Sequence, residues 1–327
     1  MKLITTIDEI QESIPVLFTS SIDRVKPFIG SAERNFLLAV LGRDQYQVLV
    51  DAYNEADHNA DSIADEEIKE AVKISQRIIS NLGYLTGLPV LNVNFSDSGI
   101  TVTSNAETKQ AFKWQVDEVK ASIQELGFTA IEELLIYMEE YAPDKFPEYL
   151  NSTNYLKHQE YLIRSAAEFS ENFNIGGSRY IFKTLSYLMK RVEEQIVKKL
   201  YSPAFFESLK SGDLSGKKLE LVTDYIAPGI ALLTGAKAVV ERVITFKNGV
   251  AAVNIDGNYD SEKNNMSATR EQVTLAVDQL NTDGNAFLQG GLQFILDNVS
   301  DFPGFEPIVP RKKRNLPNSS DKGIYAA

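Results

Sequence analysis

Apolar or small side chains recur at intervals of three and four residues along most of the chain, a pattern typical of one face of an α-helix. Four such series, in chain order, are Ile68, Val72, Ser75, Ile79 and Leu82; Phe112, Val116, Val119, Ile123 and Leu126; Ile131, Leu134, Leu135 and Met138; and Leu185, Leu188, Met189, Val192 and Ile196. Each series predicts an amphipathic helix whose apolar stripe packs into a core. The chain as a whole is therefore predicted to be mainly α.

Two short segments interrupt the helical pattern. Leu91–Val102 and Val243–Val253 each hold β-branched or aromatic residues on both sides of a turn, and each turn contains a glycine, Gly99 or Gly249. Such runs around a glycine turn are typical of β-hairpins. We expect one small β-hairpin at each place.

The order of elements is similar in the two halves of the chain, which indicates an internal repeat. The matched positions are Tyr46 and Phe206, Gly99 and Gly249, Gly127 and Gly284, and the Phe-Pro-x-aromatic segments at 146–149 and 302–305. The repeat predicts two tandem helical units, each carrying a small β-hairpin.

Five parts follow from the repeat and from the composition around it. They are an N-terminal segment (1–19), helical repeat unit 1 (20–150), a linker helix (151–178), helical repeat unit 2 (179–306) and an extended basic C-terminal arm (307–327). The linker helix itself is expected between Tyr155 and Phe173.

Charge separates the arm from the rest of the protein. The net charge is −12, yet residues 307–327 carry a local charge of +4, which leaves −16 on residues 1–306. An acidic body argues against a surface that binds nucleic acid, because phosphate neutralisation needs clustered Lys and Arg. It is compatible with DNA that passes close by without specific binding.

Composition excludes several kinds of chemistry. The 327 residues include no cysteine and two histidines, His58 and His158. Disulfide frameworks, thiolate zinc sites and cysteine nucleophiles are thereby excluded, and little remains for a histidine-based metal centre. The N-terminus lacks the apolar core of a signal peptide and no apolar run reaches the ~20 residues of a membrane span. We expect a soluble protein in a reducing compartment, with no membrane partner.

The remaining candidates for catalysis favour structural interpretations. Asp57, His58 and Asp61 are expected to be a solvated acidic loop and not a metal site. Gly229–Lys237 lacks the spacing of a phosphate-binding loop and is expected to be a buried helix. The pairs Glu132/Glu133 and Glu139/Glu140 lie opposite an apolar stripe, where solvated carboxylates are usual. We expect no enzyme activity, no cofactor and no metal.

Two features instead suggest a partner interface. Trp114, the only tryptophan, falls among polar residues on its helix, so either another segment of the chain covers it or it anchors an interface. The basic run of the arm follows two prolines and could bind a neighbouring protein, bind nucleic acid, or be a solvated tail. Its residues, with two apolar residues near the end of the arm, are Arg311, Lys312, Lys313, Arg314, Ile324 and Tyr325.

The segment Ala32–Phe36, followed by Leu41, Gly42, Tyr46 and Leu49, resembles an uncharacterised phage and prophage family of Bacteroidetes. So do the paired glycine-turn hairpins and the closing segment 302–305. The helical unit with one hairpin is also similar to the head–tail adaptor (connector) proteins of tailed phages, here doubled, whereas the common adaptors have a single unit.

The resemblance implies a structural protein of the virion neck that forms a ring of copies below the portal. Its partners would be further copies of itself, the portal protein and tail or neck proteins, with DNA passing without specific binding. The C-terminal arm would dock on the portal. Its location would be the portal vertex of the virion, and the host cytoplasm during assembly. The alternatives are a soluble helical-repeat protein-binding module and, third, an enzyme of unrecognised type.

Overall fold

The computed structural model describes residues 2–14, 22–91, 94–96, 99–101, 112–211, 214–247, 250–253 and 269–305. Helices fill most of these ranges, so the prediction of a mainly α fold is confirmed. The chain divides into two compact units. Unit 1 contains Met1–Glu160, Arg164–Ala167 and Ile175–Thr184, and unit 2 contains Tyr161–Ile163, Glu168–Asn174 and Leu185–Ala327.

Eight α-helices lie in the described part of the first half of the chain. They are α1 Ile7–Gln11, α2 Lys26–Ala32, α3 Leu38–Leu41, α4 Arg43–Glu55, α5 Glu66–Leu91, α6 Lys113–Lys145, α7 Pro147–Leu150 and α8 Thr153–Gln159. Short 3-10 helices occur at Ile22–Arg24 and Ala60–Ser62, and a π-helix joins α2 to α3 at Glu33–Leu37.

Seven α-helices follow in the described part of the second half. They are α9 Ala166–Asn172, α10 Arg179–Val192, α11 Lys198–Leu200, α12 Pro203–Ser211, α13 Lys217–Leu221, α14 Ala227–Val243 and α15 Arg270–Asp297. Two π-helices, Glu193–Val197 and Val222–Ile226, connect α10 to α11 and α13 to α14, and a 3-10 helix covers Val299–Asp301.

Four short strands form two antiparallel pairs. β1 (Asn94–Ser96) pairs with β2 (Gly99–Thr101), and β3 (Ile244–Lys247) pairs with β4 (Val250–Val253). The predicted turn positions 97–98 and 248–249 lie outside the described residues. Two-stranded ladders of this length are marginally stable alone, so the helices stabilise the fold.

The core of unit 1 forms largely where α5 and α6 pack together. The stripe predicted on α5 and the stripe predicted on the second half of α6 are confirmed, since their members are buried or partly buried. These are Ile68, Val72, Ser75, Ile79 and Leu82 on α5, and Ile131, Leu134, Leu135 and Met138 on α6. Gly127 allows the close approach, because a Cβ atom there would lie 2.5 Å from Cδ2 of Leu82. The N-terminal segment belongs to the same core, with Leu3, Ile4 and Ile10 fully buried.

The stripe predicted over the first half of α6 is mostly wrong. Ile123 is buried, but Phe112, Val119 and Leu126 are exposed, and no residue from 112 to 122 is buried. Because Gly127 faces α5, Leu126 points about 100° away from it around the helix. The first turns of α6 therefore present their apolar side chains to the outside.

The stripe on α10 is confirmed up to Val192 and then shifts by one position. Leu185, Leu188, Met189 and Val192 are buried, but beyond them Val197 is buried in place of the predicted Ile196. The π-helix Glu193–Val197 inserts one extra residue into the helical turn, which rotates every later side chain.

The single linker helix predicted over Tyr155–Phe173 is wrong. α8 ends at Gln159 and α9 begins at Ala166. Between them the backbone N–H of Leu162 donates to Oε1 of Glu193 at 2.9 Å, and Ile163 is buried. Because this backbone N–H donates to the carboxylate, it cannot donate the hydrogen bond to a carbonyl oxygen that a continuous helix would need.

One helical run is longer and more apolar than the sequence analysis expected. Lys217–Glu241 has the length and composition to cross a membrane, but 61% of its 18-residue apolar stretch is buried inside the protein. A core helix of a soluble protein has the same character. In unit 2 this run packs against α15, where Gly229 lies so close to Leu288 that a Cβ would come within 2.6 Å of its Cδ2.

Candidate functional site

The first half of α6 exposes a series of large apolar side chains. The N–H of Phe112, the residue before the helix, donates to Oε1 of Gln115 at 3.0 Å, which fixes the start of the helix. Phe112 is 69% exposed and Trp114 is 55% exposed. The segments that the structure describes therefore do not bury Trp114, and its role at an interface stays a prediction.

The first half of α15 is also exposed, but Leu275 is the one large exposed apolar side chain between residues 269 and 283. Thr269 caps the helix reciprocally with Gln272, since each backbone N–H donates to the other residue's side chain. No residue from 269 to 283 is buried, and Leu275 is 71% exposed. Phe287 is exposed further along the same helix.

The first half of α6 can form contacts at little desolvation cost. Scattered exposed apolar residues are normal, but a series on one rigid element is typical of an interaction surface. The charged residues among them on α6 are weakly engaged. Lys120 lies 3.9 Å from Asp117 with both side chains exposed, and such a pair contributes little to stability. We name the segment 112–126 the α6 apolar surface.

A second surface lies further along α6. Six residues on one side of the helix line a shallow groove of about 370 Å³: Thr129, Glu132, Glu133, Ile136, Tyr137 and Glu140. Ile136 is exposed and provides the apolar floor together with Tyr137. We name it the Ile136 groove.

The carboxylates around this groove differ in their roles. Glu132 accepts hydrogen bonds from the backbone N–H of Arg179 at 2.9 Å and from Oγ of Ser178 at 2.9 Å, and Glu139 accepts from Nε of Arg179 at 2.5 Å. The expectation of solvated carboxylates is therefore wrong for Glu132 and Glu139, which anchor the start of α10. Glu140 is exposed and forms no ion pair with the described residues.

Several acidic groups lie near Tyr137 in the groove. Burial raises the pKa of Tyr137 to about 12, with smaller contributions from Tyr141, Glu67, Glu70 and Asp65. Part of this charge is neutralised, because Lys145 Nζ lies 2.6 Å from Asp65 and 3.3 Å from Glu67. The hydrogen bond from Lys145 lowers the pKa of Asp65.

A cavity of about 230 Å³ lies within unit 1, among residues that include Tyr149, His158, Arg179 and Lys183. Burial, and then the charge of Lys183, lowers the pKa of His158 to about 4, so the imidazole is neutral at physiological pH. Burial also lowers the pKa of Lys183 to about 8. Sequence reasoning noted His158 only as one of two histidines, because local spacing does not show that α8 and α10 bring it close to Arg179 and Lys183.

Two cationic groups of this cavity, Arg179 and Lys183, are bonded to other parts of the protein. Arg179 pairs with Glu132 and Glu139, and Nζ of Lys183 donates to the carbonyl oxygen of Ala39. The arrangement stabilises the junction of α3, α8 and α10.

The other sequence candidates are placed as follows. Asp61 Oδ1 lies 2.5 Å from Lys73 Nζ, and this hydrogen bond lowers the pKa of Asp61. The ring of His58 lies 5.4 Å from that of Tyr53. In the part of the chain that the structure describes, no group of three or more His, Asp or Glu residues could hold a metal. Gly229–Lys237 lies within α14, as expected of a helix.

The residues of the arm that the sequence predicts at an interface lie outside the described residues; they are Arg311, Lys312, Lys313, Arg314, Ile324 and Tyr325.

The sequence matches the model of a family of unknown function, DUF6712, in two separate stretches, residues 37–159 and 188–315. Together they cover more than half of the chain. The chain belongs to this family. Each stretch of DUF6712 contains one of the two exposed helix segments. No curated protein and no solved structure matches the chain.

Proposed function

We propose that the two DUF6712 stretches belong to copies of one helical unit with a small hairpin. The first support is a pair of buried glutamates 160 positions apart, Glu33 and Glu193, each of which begins a π-helix. Oε1 of Glu33 accepts from the N–H of Lys2 at 2.6 Å, and Oε1 of Glu193 accepts from the N–H of Leu162 at 2.9 Å. The donors are also 160 positions apart.

Two further correspondences support the duplication. Gly42 and Ser202, again 160 positions apart, both have positive φ (86° and 68°) immediately before a helix. In each unit a glycine on the last long helix contacts a leucine on the preceding long helix. A Cβ at Gly127 would lie 2.5 Å from Leu82, and a Cβ at Gly284 would lie 2.8 Å from Leu233.

The function we propose is that of a structural virion protein of the neck, a head–tail adaptor that forms a ring of copies below the portal. The observation that carries it is the α6 apolar surface, with Trp114 and Phe112 exposed on a rigid helix. Lateral association of copies through this surface would bury these apolar side chains.

The charge of the body supports the same proposal. Residues 1–306 carry −16, so a channel bounded by this protein would repel DNA phosphates. The genome could then pass without specific binding. The protein would work by assembly and not by catalysis.

The alternative is a soluble helical-repeat module that binds another protein through the same exposed faces. Such a module would stay monomeric at all concentrations and bind its partner with one-to-one stoichiometry. Self-association separates the two functions.

Mass photometry of the full chain, alone and with a portal protein from the same phage, tests the proposal. We expect ring-sized assemblies, and we expect Trp114→Glu to reduce them strongly because a charge would be buried at the contact. Leu156→Glu on α8 is the matched control, since Leu156 is half exposed but lies outside the α6 apolar surface. A chain that stays monomeric with and without the portal would refute the adaptor function.

A further inference from the structure

The Ile136 groove has the features of a receptor for a basic peptide. Its floor is apolar, with Ile136 and Tyr137, and its rim carries Glu132, Glu133 and Glu140. Arg77 pairs with Glu133 at 2.7 Å and Arg179 pairs with Glu132, so Glu140 provides the carboxylate that a ligand can engage without breaking an existing ion pair.

The chain itself contains a segment of complementary chemistry. Residues 307–327 carry +4 and include four consecutive basic residues, Arg311 to Arg314. Ile308 and Val309 precede this run and Leu316 follows it, so apolar side chains flank the charges on both sides. We propose that the C-terminal arm of a second copy of this chain binds in the Ile136 groove of unit 1.

The dimensions of the two partners agree. Glu133 and Glu140 are seven residues apart on a helix, a separation of ~10 Å along its axis. The run from Arg311 to Arg314 spans ~9 Å in an extended polyproline-like conformation, which the nearby prolines favour. The run can therefore lie along the groove with one basic side chain at Glu140 while Val309 or Leu316 contacts Ile136, and the ion pair between Arg77 and Glu133 stays in place.

Exchange of the arm between copies would deepen the proposed adaptor function, on which this inference rests. The α6 apolar surface would supply lateral contacts between copies. The arm would add a second, salt-sensitive contact, because exposed charge pairs are screened over ~10 Å at ordinary ionic strength. The two surfaces lie on different parts of α6 and can be altered separately.

Photo-crosslinking in the full chain tests the inference. p-Benzoylphenylalanine replaces Thr129, an exposed groove residue, in isotopically light copies that are mixed with heavy copies before irradiation. We expect light-to-heavy crosslinks between position 129 and residues 307–327. Glu140→Lys should lower their yield about five- to tenfold, which is the effect of turning one exposed attraction into a repulsion of similar size. Arg314→Glu in the same chain should restore much of the yield.

Glu55→Lys, a charge reversal at an exposed position on α4, is the matched control and should leave the yield unchanged. Crosslinks confined to copies of one label, crosslinks that reach only other segments, or a yield insensitive to Glu140→Lys would overturn the inference. Mass photometry of the same samples separates the two proposals. Assemblies without the arm crosslink overturn the arm contact alone, whereas monomers throughout overturn the adaptor function.

Discussion

Neighbouring glycines on α15 should respond in opposite ways to the same substitution. A Cβ at Gly291 would lie 2.3 Å from the hydroxyl of Tyr201, and this buried hydroxyl donates to the carbonyl oxygen of Leu288 at 2.6 Å. A Cβ at Gly290 would instead meet the ring of Tyr225 at 3.3 Å, and that ring is half-buried and can yield slightly.

The magnitudes follow from these distances. Overpacking a filled core costs about 1–3 kcal/mol and loss of a buried hydrogen bond about 1 kcal/mol more. Replacing a helical glycine with alanine returns roughly 1 kcal/mol of helix propensity. Gly291→Ala should therefore lower the stability of unit 2 by about 1–3 kcal/mol, whereas Gly290→Ala should be neutral or stabilise it by up to ~1 kcal/mol.

Thermal and urea unfolding of both variants, followed by circular dichroism, would measure the difference. For a unit of this size we expect the midpoint of Gly291→Ala to fall by roughly 3–10 °C. Equal midpoints for the two variants would refute the argument that the contact between Tyr201 and α15 limits the size of residue 291.

Three further predictions concern charge and the arm. Glu193→Ala should destabilise unit 2 by about 3 kcal/mol, because the N–H of Leu162 and the Lys210 ammonium group lose their hydrogen bonds to this buried carboxylate. Glu194→Ala, at the exposed neighbouring position, should change stability by less than ~0.5 kcal/mol, and urea unfolding would measure both variants. The pKa of His158 is lowered in the folded state, so the unfolded state binds more protons between about pH 6.5 and 4, and the stability of unit 1 should fall as the pH drops through this range. His158→Asn should fall less steeply, and parallel pH profiles would contradict the assignment. Deletion of residues 307–327 should leave the unfolding midpoint nearly unchanged, and a large loss of stability would show that the arm packs into its own subunit.

The helical stripes were predictable where one helix packs evenly along another. On α5, Val72, Ile79 and Leu82 are buried as their spacing predicts. Side chains at a period of 3.6 residues lie on one face of the helix, and packing that face against a neighbouring helix removes all of them from water. The same reasoning failed for Phe112 and Val119, since spacing reports that a face is apolar and not that a partner in the same chain covers it.

Other errors arose from groups whose function depends on distant residues. Glu132 and Glu139 were predicted to be solvated carboxylates, yet both accept hydrogen bonds from Arg179 at the start of α10. The sequence does not predict that Glu193 is buried, because a glutamate beside an apolar stripe is usually solvated. Its role becomes visible only with the hydrogen bond that it accepts from the backbone N–H of Leu162. Local periodicity cannot report hydrogen bonds between segments 30 or more residues apart.

The π-helices at Glu33–Leu37 and Glu193–Val197 have a consequence for aligning members of the family. A π-turn is the structural equivalent of a single inserted residue, which the helix absorbs as a wider turn without a loop. Here the wide turn begins at the buried glutamate that binds the backbone of the unit's first segment. Family members with a one-residue gap at this point should therefore have a regular α-helical turn here, with every later side chain of the helix rotated by about 100°.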